Sequence, residues 1–400
     1  MADRGNKRRN AWAPHAATGI ALVAVSLILA EVSGATAGML GGLRFPAEYR
    51  SWSIEQESDT TDVTQLYVPF VGALRFGPQV DFVLAGAYGS SARSPASGEE
   101  FTLAGPSDVT AQLFARLGGD RVLLQAGLGL PSGTKELDNE QLSVAQALSH
   151  PLLGYRLKTY GQGLDLSAGA ATAFPLGGSG AFGLGIGLVS HGAYTLVEDG
   201  DDYKPGLETS FSAGFDLGGI ASGKGAASGG GSPLRVDLSY RTYGKDELDG
   251  TEIFQEGAQI EGQVTVAAGR QGPHFEASLR AVAKSDNTVF QGSGETVEEL
   301  KDKPGTSLRA DTHLDFPVGG QARLGVAAEL HRFSGADVPA LNGTTFGVGP
   351  SLALFLSPRA SISLGGQLLG GSIDEDEESG LDQVDLSGFA ALFGFTWRAQ

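Results

Sequence analysis

Cysteine is absent from all 400 residues. An exported chain without it builds no disulfide and offers no thiolate to a metal, so stability has to come from its own packing. Long apolar runs are missing as well: after residue 37 none reaches the ~20 residues that a spanning helix requires. Basic residues do not balance acidic ones, 28 against 46, which leaves a formal charge of −18. Such a chain repels polyanions, which argues against nucleic acid as a partner. Gly183-x-Gly185-x-Gly187 lacks the spacing of a dinucleotide fingerprint. The acidic runs 198–202 and 374–378 could hold Ca²⁺ or Mg²⁺ between loops and lipopolysaccharide phosphates. They lack EF-hand spacing and read more simply as solvated loop. No cofactor and no metal is expected.

The N-terminus reads as a targeting segment. Arg4, Lys7, Arg8 and Arg9 form a basic region, residues 16–30 an uncharged apolar one, and Ala35-Thr36-Ala37 a small-x-small cleavage site. Cleavage after Ala37 leaves a single domain, 38–400, with 24 basic against 44 acidic side chains, a charge of −20. General secretory export by this cleavable signal peptide is expected.

From Tyr49 to Trp397 apolar and polar residues alternate in segments of about ten residues. In Leu234-Arg235-Val236-Asp237-Leu238-Ser239-Tyr240-Arg241 the apolar side chains share one strand face and the polar ones the other. The phase recurs: Val109, Ala111, Leu113 and Leu117 oppose Asp108, Thr110, Gln112 and Arg116. Ile260, Val264 and Val266 oppose Glu261 and Gln263, and Leu279 opposes Glu276 and Arg280. Leu308 and Leu314 oppose Arg309, Asp311 and His313; Leu324 and Leu330 oppose Arg323 and Glu329. A cationic side chain at mid-depth of a bilayer costs ~2–4 kcal/mol on the lipid face, so the apolar phase must look outward. Short turns (76–78, 118–120, 270–273, 317–320, 357–359) alternate with longer polar connections (91–106, 132–150, 285–305, 372–383). The Gly/Ser-rich 218–233 segment is long yet falls in the short-turn row. Pro69 and Pro350 each remove a ladder donor within a strand and mark irregular pairing. The expected fold is all-β, an antiparallel transmembrane β-barrel of about 16 strands (range about 12–18) after a cleaved signal peptide.

Several positions carry functional expectations. The channel-lining candidates are Asp108, Arg116, Arg235, Asp237, Arg241, Glu261, Glu276, Arg280, Arg309, Asp311, His313, Arg323 and Glu329. They suit either an aqueous conduit or a ladder of ion pairs that seals the interior. Residues 131–150 are a candidate constriction loop, with a short helix capped by Asp138 and Gln141 and carrying Leu142, Ala145 and Leu148. The loop is expected against a smooth wall made by Gly127, Gly129, Ser167, Gly169, Gly183, Gly185 and Gly187. Tyr49, Trp52, Tyr67, Tyr88, Tyr194 and Tyr240 lie near strand ends and suit interfacial girdles. Ser149-His150 and Ser190-His191 are the suggestive catalytic pairs, but neighbours on a strand face opposite sides, so no enzyme is expected.

The final strand, Phe389, Ala391, Phe393, Phe395 and Trp397, resembles the signal that barrel-assembly machinery reads, with Arg398-Ala399-Gln400 following the aromatic. Ser107-Asp108-Val109-Thr110, the Gly118-Gly119-Asp120 turn and Leu128-Gly129-Leu130-Pro131-Ser132-Gly133 resemble outer-membrane proteins of phenol meta-pathway degradation. That group is related to long-chain fatty-acid transporters. The resemblance implies a Gram-negative outer membrane with lipid and lipopolysaccharide around the wall, and passage of small hydrophobic or aromatic solutes. The transporters' N-terminal plug with its Asn-Pro-Ala signature is missing, so any constriction is expected from a loop. A structural or surface-exposed barrel with a sealed lumen is the alternative.

Overall fold

The computed structural model describes residues 42–57, 59–119, 121–176, 180–198, 200–217, 234–269, 272–291, 298–376 and 382–398. The expected leader and the 218–233 connection lie outside them. Strands β1 (Gly42–Gln56), β2 (Asp59–Phe76), β3 (Val80–Ser94), β4 (Phe101–Pro106), β5 (Val109–Leu117) and β6 (Val122–Leu130) open the wall. Helix α1 (Asn139–Ser149) follows, then β7 (Asp165–Leu176) and β8 (Gly180–His191). The short β9 (Tyr194–Thr195) and β10 (Asp202–Lys204) leave the wall; β11 (Glu208–Leu217) and β12 (Leu234–Tyr243) return to it. The same excursion repeats with β13 (Lys245–Leu248) and β14 (Thr251–Gln255) before β15 (Gln259–Ala268) and β16 (His274–Lys284). It repeats again with β17 (Asn287–Gln291) and β18 (Glu298–Asp302) before β19 (Pro304–Val318), β20 (Ala322–Ala336) and β21 (Gly343–Ser357). β22 (Ala360–Ile373) and β23 (Val384–Arg398) complete the chain.

Every wall strand pairs antiparallel with its neighbour, and β23 returns to β1 from Gly42↔Arg398 to Glu55↔Asp385. The sheet therefore has no free edge. β4 and β5 lie end to end along β3, so the 17 strands of this sheet fill sixteen positions around the ring. With an even number, β1 begins and β23 ends at the same rim. That rim carries the short turns, several closed by glycines with positive φ (Gly77, Gly118, Gly119, Gly319). The opposite rim carries the long connections, where the three excursions join into a second, six-stranded sheet. The two prolines sit at gaps in the ladders. The β1–β2 pairing skips Phe45 to Ala47, opposite Pro69, and the β21–β22 pairing skips Gly349 and Pro350.

The apolar phase faces away from the barrel. Leu238 and Ile260 are each 53% exposed, and Leu279 and Leu324 share that face. The densest core is inside, at the long-loop end, where Trp52, Val63, Leu103, Val144, Leu148, Leu152, Leu153 and Tyr155 pack together. Three girdle expectations are corrected here. Trp52 is 1% exposed and its indole N–H donates to Leu153 O at 2.7 Å, so it faces the lumen and is not in a girdle. Tyr67 also leaves the girdle, lining the interior in register with Glu48, while Tyr194 is buried in the rim sheet against Tyr203. Tyr49, stacked on Phe389, and the exposed Tyr240 keep the outward position.

Candidate functional site

The chain between β6 and β7 folds into the lumen as one insert. Asp138 caps α1: its carboxylate accepts from Gln141 N at 2.8 Å, and the Gln141 side chain returns a contact to Asp138 N. Leu148 and Val144 are fully buried, Leu142 only partly. A 3-10 turn, Pro151–Leu153, then carries the chain along the wall. Gln65 of β2 holds this stretch, donating to Leu157 O at 2.7 Å and accepting from Arg156 N and Leu157 N. Thr345 of β21 donates to Leu152 O at 3.2 Å, and Tyr160 donates to Leu103 O at 3.1 Å. Burial raises the pKa of Tyr160 to about 12, so it stays a neutral donor at neutral pH.

The insert has a neck. Asp108, in the break between β4 and β5, accepts from Gly133 N at 2.8 Å and Gln162 N at 2.6 Å, tying both ends together. Ser132 Oγ accepts from Val109 N at 2.9 Å. At Gly133 a Cβ would lie 1.8 Å from Tyr160 O, a backbone atom, so the close approach requires glycine. The contact surface corrects the sequence reading. The insert packs on β1 to β4 and β20 to β22, not on the small-residue wall of β6 to β8. There the nearest atom to an added Cβ at Gly127, Gly185 or Gly187 is the hydroxyl of a serine on a neighbouring strand, Ser167, Ser212 or Ser210. Small side chains on that wall leave a void instead.

Charge organises the remaining interior. Arg50 and Glu48 of β1 pair at 3.0 Å with side chains 6% and 9% exposed, and Arg156 of the insert reaches Glu48 at 2.8 Å. Arg50 also meets Glu329 of β20 at 3.3 Å, although β1 and β20 are separated around the wall by β21, β22 and β23. Glu329 is bound in turn by Arg309 at 2.9 Å, and Arg309 by Asp311 at 2.9 Å. This chain of charges spans part of the lumen. Such buried charge is tolerable only because each member is paired.

The other lining candidates fall into separate pairs: Arg235 with Asp237 at 2.7 Å, Arg280 with Glu261 at 2.7 Å, and Arg116 with Asp81. Arg241 and Glu208 are 3.8 Å apart, and Glu276 is 3.9 Å from His274. His313 shares a contact with Ser351 Oγ at 2.8 Å, and Arg323 donates to Gly272 O at 3.1 Å. Asp108 is spent on the neck. Of the suggestive pairs, Ser149 donates to Ala145 O and His150 caps the 3-10 turn, while His191 is held by Asp165 at 2.8 Å. Asp374 of the second acidic run pairs with Arg332 at 2.6 Å. No group of metal-ligating side chains occurs among the described residues.

Voids remain in the lumen, some beside the insert and some beyond it. One of 660 Å³ lies toward the short-turn half, bordered by Arg116, Ser212, Gly214, Arg235, Asp237 and Gln263. One of 520 Å³ separates the insert from β15, β16, β19 and β20. A third, 330 Å³, lies beside α1 and is mostly apolar, with Leu103, Leu137, Leu142, Ala145 and Leu196 in its walls. Sequence reading missed Glu48, Arg50, Gln65 and Arg156. The i, i+2 spacing of Glu48, Arg50 and Trp52 carried the signal, but placing Trp52 in a girdle put that face outside.

A closed antiparallel ring that is oily outside and charged within defines a transmembrane β-barrel. No protein-family profile and no curated protein matches the sequence. Among solved structures it is similar to the CymD monoaromatic hydrocarbon channel, at 12% identity and TM-score 0.43 over 94% of this chain and 92% of that one. It is similar also to the translocator domain of autotransporter NalP from Neisseria meningitidis, at 9% identity and TM-score 0.31 over 96% of each. A mutant porin of Rh. blastica aligns at 12% identity and TM-score 0.35, over 90% of this chain and 99% of its own. The fold assignment rests on the closed ladder itself.

Proposed function

We propose that this barrel sits in the outer membrane of a Gram-negative bacterium and passes small molecules, hydrophobic or aromatic ones first. In this reading the leader directs export, the last strand is taken up by the assembly machinery, and lipid and lipopolysaccharide surround the wall. One observation carries the reading: the insert divides the lumen without filling it, leaving voids of 660 and 520 Å³ inside. The apolar pocket beside α1, at 330 Å³, exceeds the ~150 Å³ that suffices for a benzene ring in a protein cavity. Binding and passage are the chemistry proposed for this lumen.

The lumen-crossing chain from Arg50 to Glu329 favours a second reading, a sealed structural barrel. Planar-bilayer recording of the refolded chain separates the two. A channel gives conductance steps that grow when residues 139–149 are replaced by a short Gly/Ser link. A sealed barrel is silent until Arg50→Ala breaks the crossing pair, and that result would overturn the passage reading.

A further inference from the structure

The 520 Å³ void has a one-signed lining. Arg156 and Lys158 face it from the insert, Arg280 and Lys284 from β16, and Arg309 from β19, while no described Asp or Glu lines it. Four of these cations have carboxylates behind them: Glu48 for Arg156, Glu261 for Arg280, Glu256 for Lys284, and Asp311 with Glu329 for Arg309. Lys158 is different. Among the described residues it makes neither an ion pair nor a hydrogen bond. It also borders the apolar pocket beside α1, so that Lys158 and Ser149 are common to both voids. An apolar pocket and a cation-lined cavity thus meet at one ammonium without a counter-ion.

We infer that this junction binds small organic anions, an apolar ring or short alkyl body seated beside α1 and a carboxylate on Lys158. The inference rests on the channel reading and narrows its solute class from hydrophobic molecules to amphipathic anions. A body of this kind matches both surfaces at once: apolar area leaves water against Leu137, Leu142 and Ala145, and the carboxylate meets the Lys158 ammonium, which has no counter-ion among the described residues. The carboxylates behind the other four cations hold those side chains in place while their own charge is offset. Among the cations of the 520 Å³ void, specificity for an anion therefore falls on Lys158, the one that also borders the apolar pocket, where Lys135 is the second cation of the wall. Burial, and then the Lys284 ammonium, lowers the Lys158 pKa, and a bound carboxylate offsets both effects.

The test is calorimetric titration of the refolded full barrel in neutral detergent with benzoate and with benzamide, its uncharged counterpart. Benzoate is expected to bind about tenfold tighter, the worth of one charge-assisted hydrogen bond. Lys158→Met should erase that preference, Lys158→Arg should keep it, and Lys204→Met, on the rim sheet, should leave it unchanged. Equal affinity for the two probes in the native chain overturns the inference, and so does a benzoate preference that survives Lys158→Met. Bilayer recording of the same preparation keeps the two readings apart: benzoate preference without conductance would sink the channel reading and leave the site standing.

Discussion

Single residues decide whether the insert is held. Asp108 is the clearest case, because one carboxylate closes a loop whose ends are separated by 28 intervening residues (134–161). Each bond from a backbone N–H to an ionised carboxylate contributes about 1.5–3 kcal/mol. Asp108→Ala should therefore loosen the neck without opening the wall, since no ladder pairing passes through Asp108. Limited trypsin digestion checks this. The variant should be cut at Lys135, Arg156 or Lys158 while the barrel stays resistant, and an uncut insert would contradict the neck. The motif residues Ser107, Asp108, Ser132 and Gly133, which prompted the family resemblance, are the ones that build this neck. Their role was not legible in sequence, because Asp108 and Gln162 meet only through the fold.

At the scale of elements, legibility follows the range of the interaction. The strands were readable because alternation is local and one face error per strand is costly in a bilayer. The α1 cap was readable because Asp138 and Gln141 lie three residues apart. The packing of the insert was not, since Trp52 and Leu153 are 101 residues apart and Gln65 and Leu157 are 92 apart. The glycine-rich wall misled for a related reason: small residues announce space, but the sequence does not say whether that space is filled. The six-stranded rim sheet was missed because its members are only two to five residues long.

The 3-10 turn that follows α1 adds a pH dependence. His150 Nδ1 accepts from Leu152 N at 3.3 Å while Nε2 donates to Ala340 O at 2.9 Å, which requires the neutral ring. Burial lowers its pKa from the ordinary 6.5, an effect the Ala340 carbonyl opposes and the Lys158 ammonium reinforces. A depressed histidine contributes stability that is complete above the unfolded value and is lost as pH falls through the folded one. Insert docking, read by Trp52 emission in a Trp397→Phe background made from residue 38, should be flat above pH 6.5 and weaken below it. His150→Asn should flatten the profile. An unchanged slope in that variant would place the titration elsewhere.

The whole molecule inverts the usual arrangement of a soluble fold: its largest apolar surface is outside and its charges are within. The ring closes without disulfides, through β1 on β23, and its tight core fills only one end. The acidic charge of the chain thus coexists with an interior in which most charges are matched locally, and function is left to the few that are not. Because the sequence has no cysteine, one can be introduced at any position as a unique label site. Spin labels placed singly from position 234 to 241 on β12, in reconstituted bilayers, test the inversion most directly. At 234, 236, 238 and 240 the labels should collide with lipid-soluble oxygen, and at 235, 237, 239 and 241 with a water-soluble nickel chelate. A reversed alternation, or none, would contradict the barrel and every proposal built on its lumen.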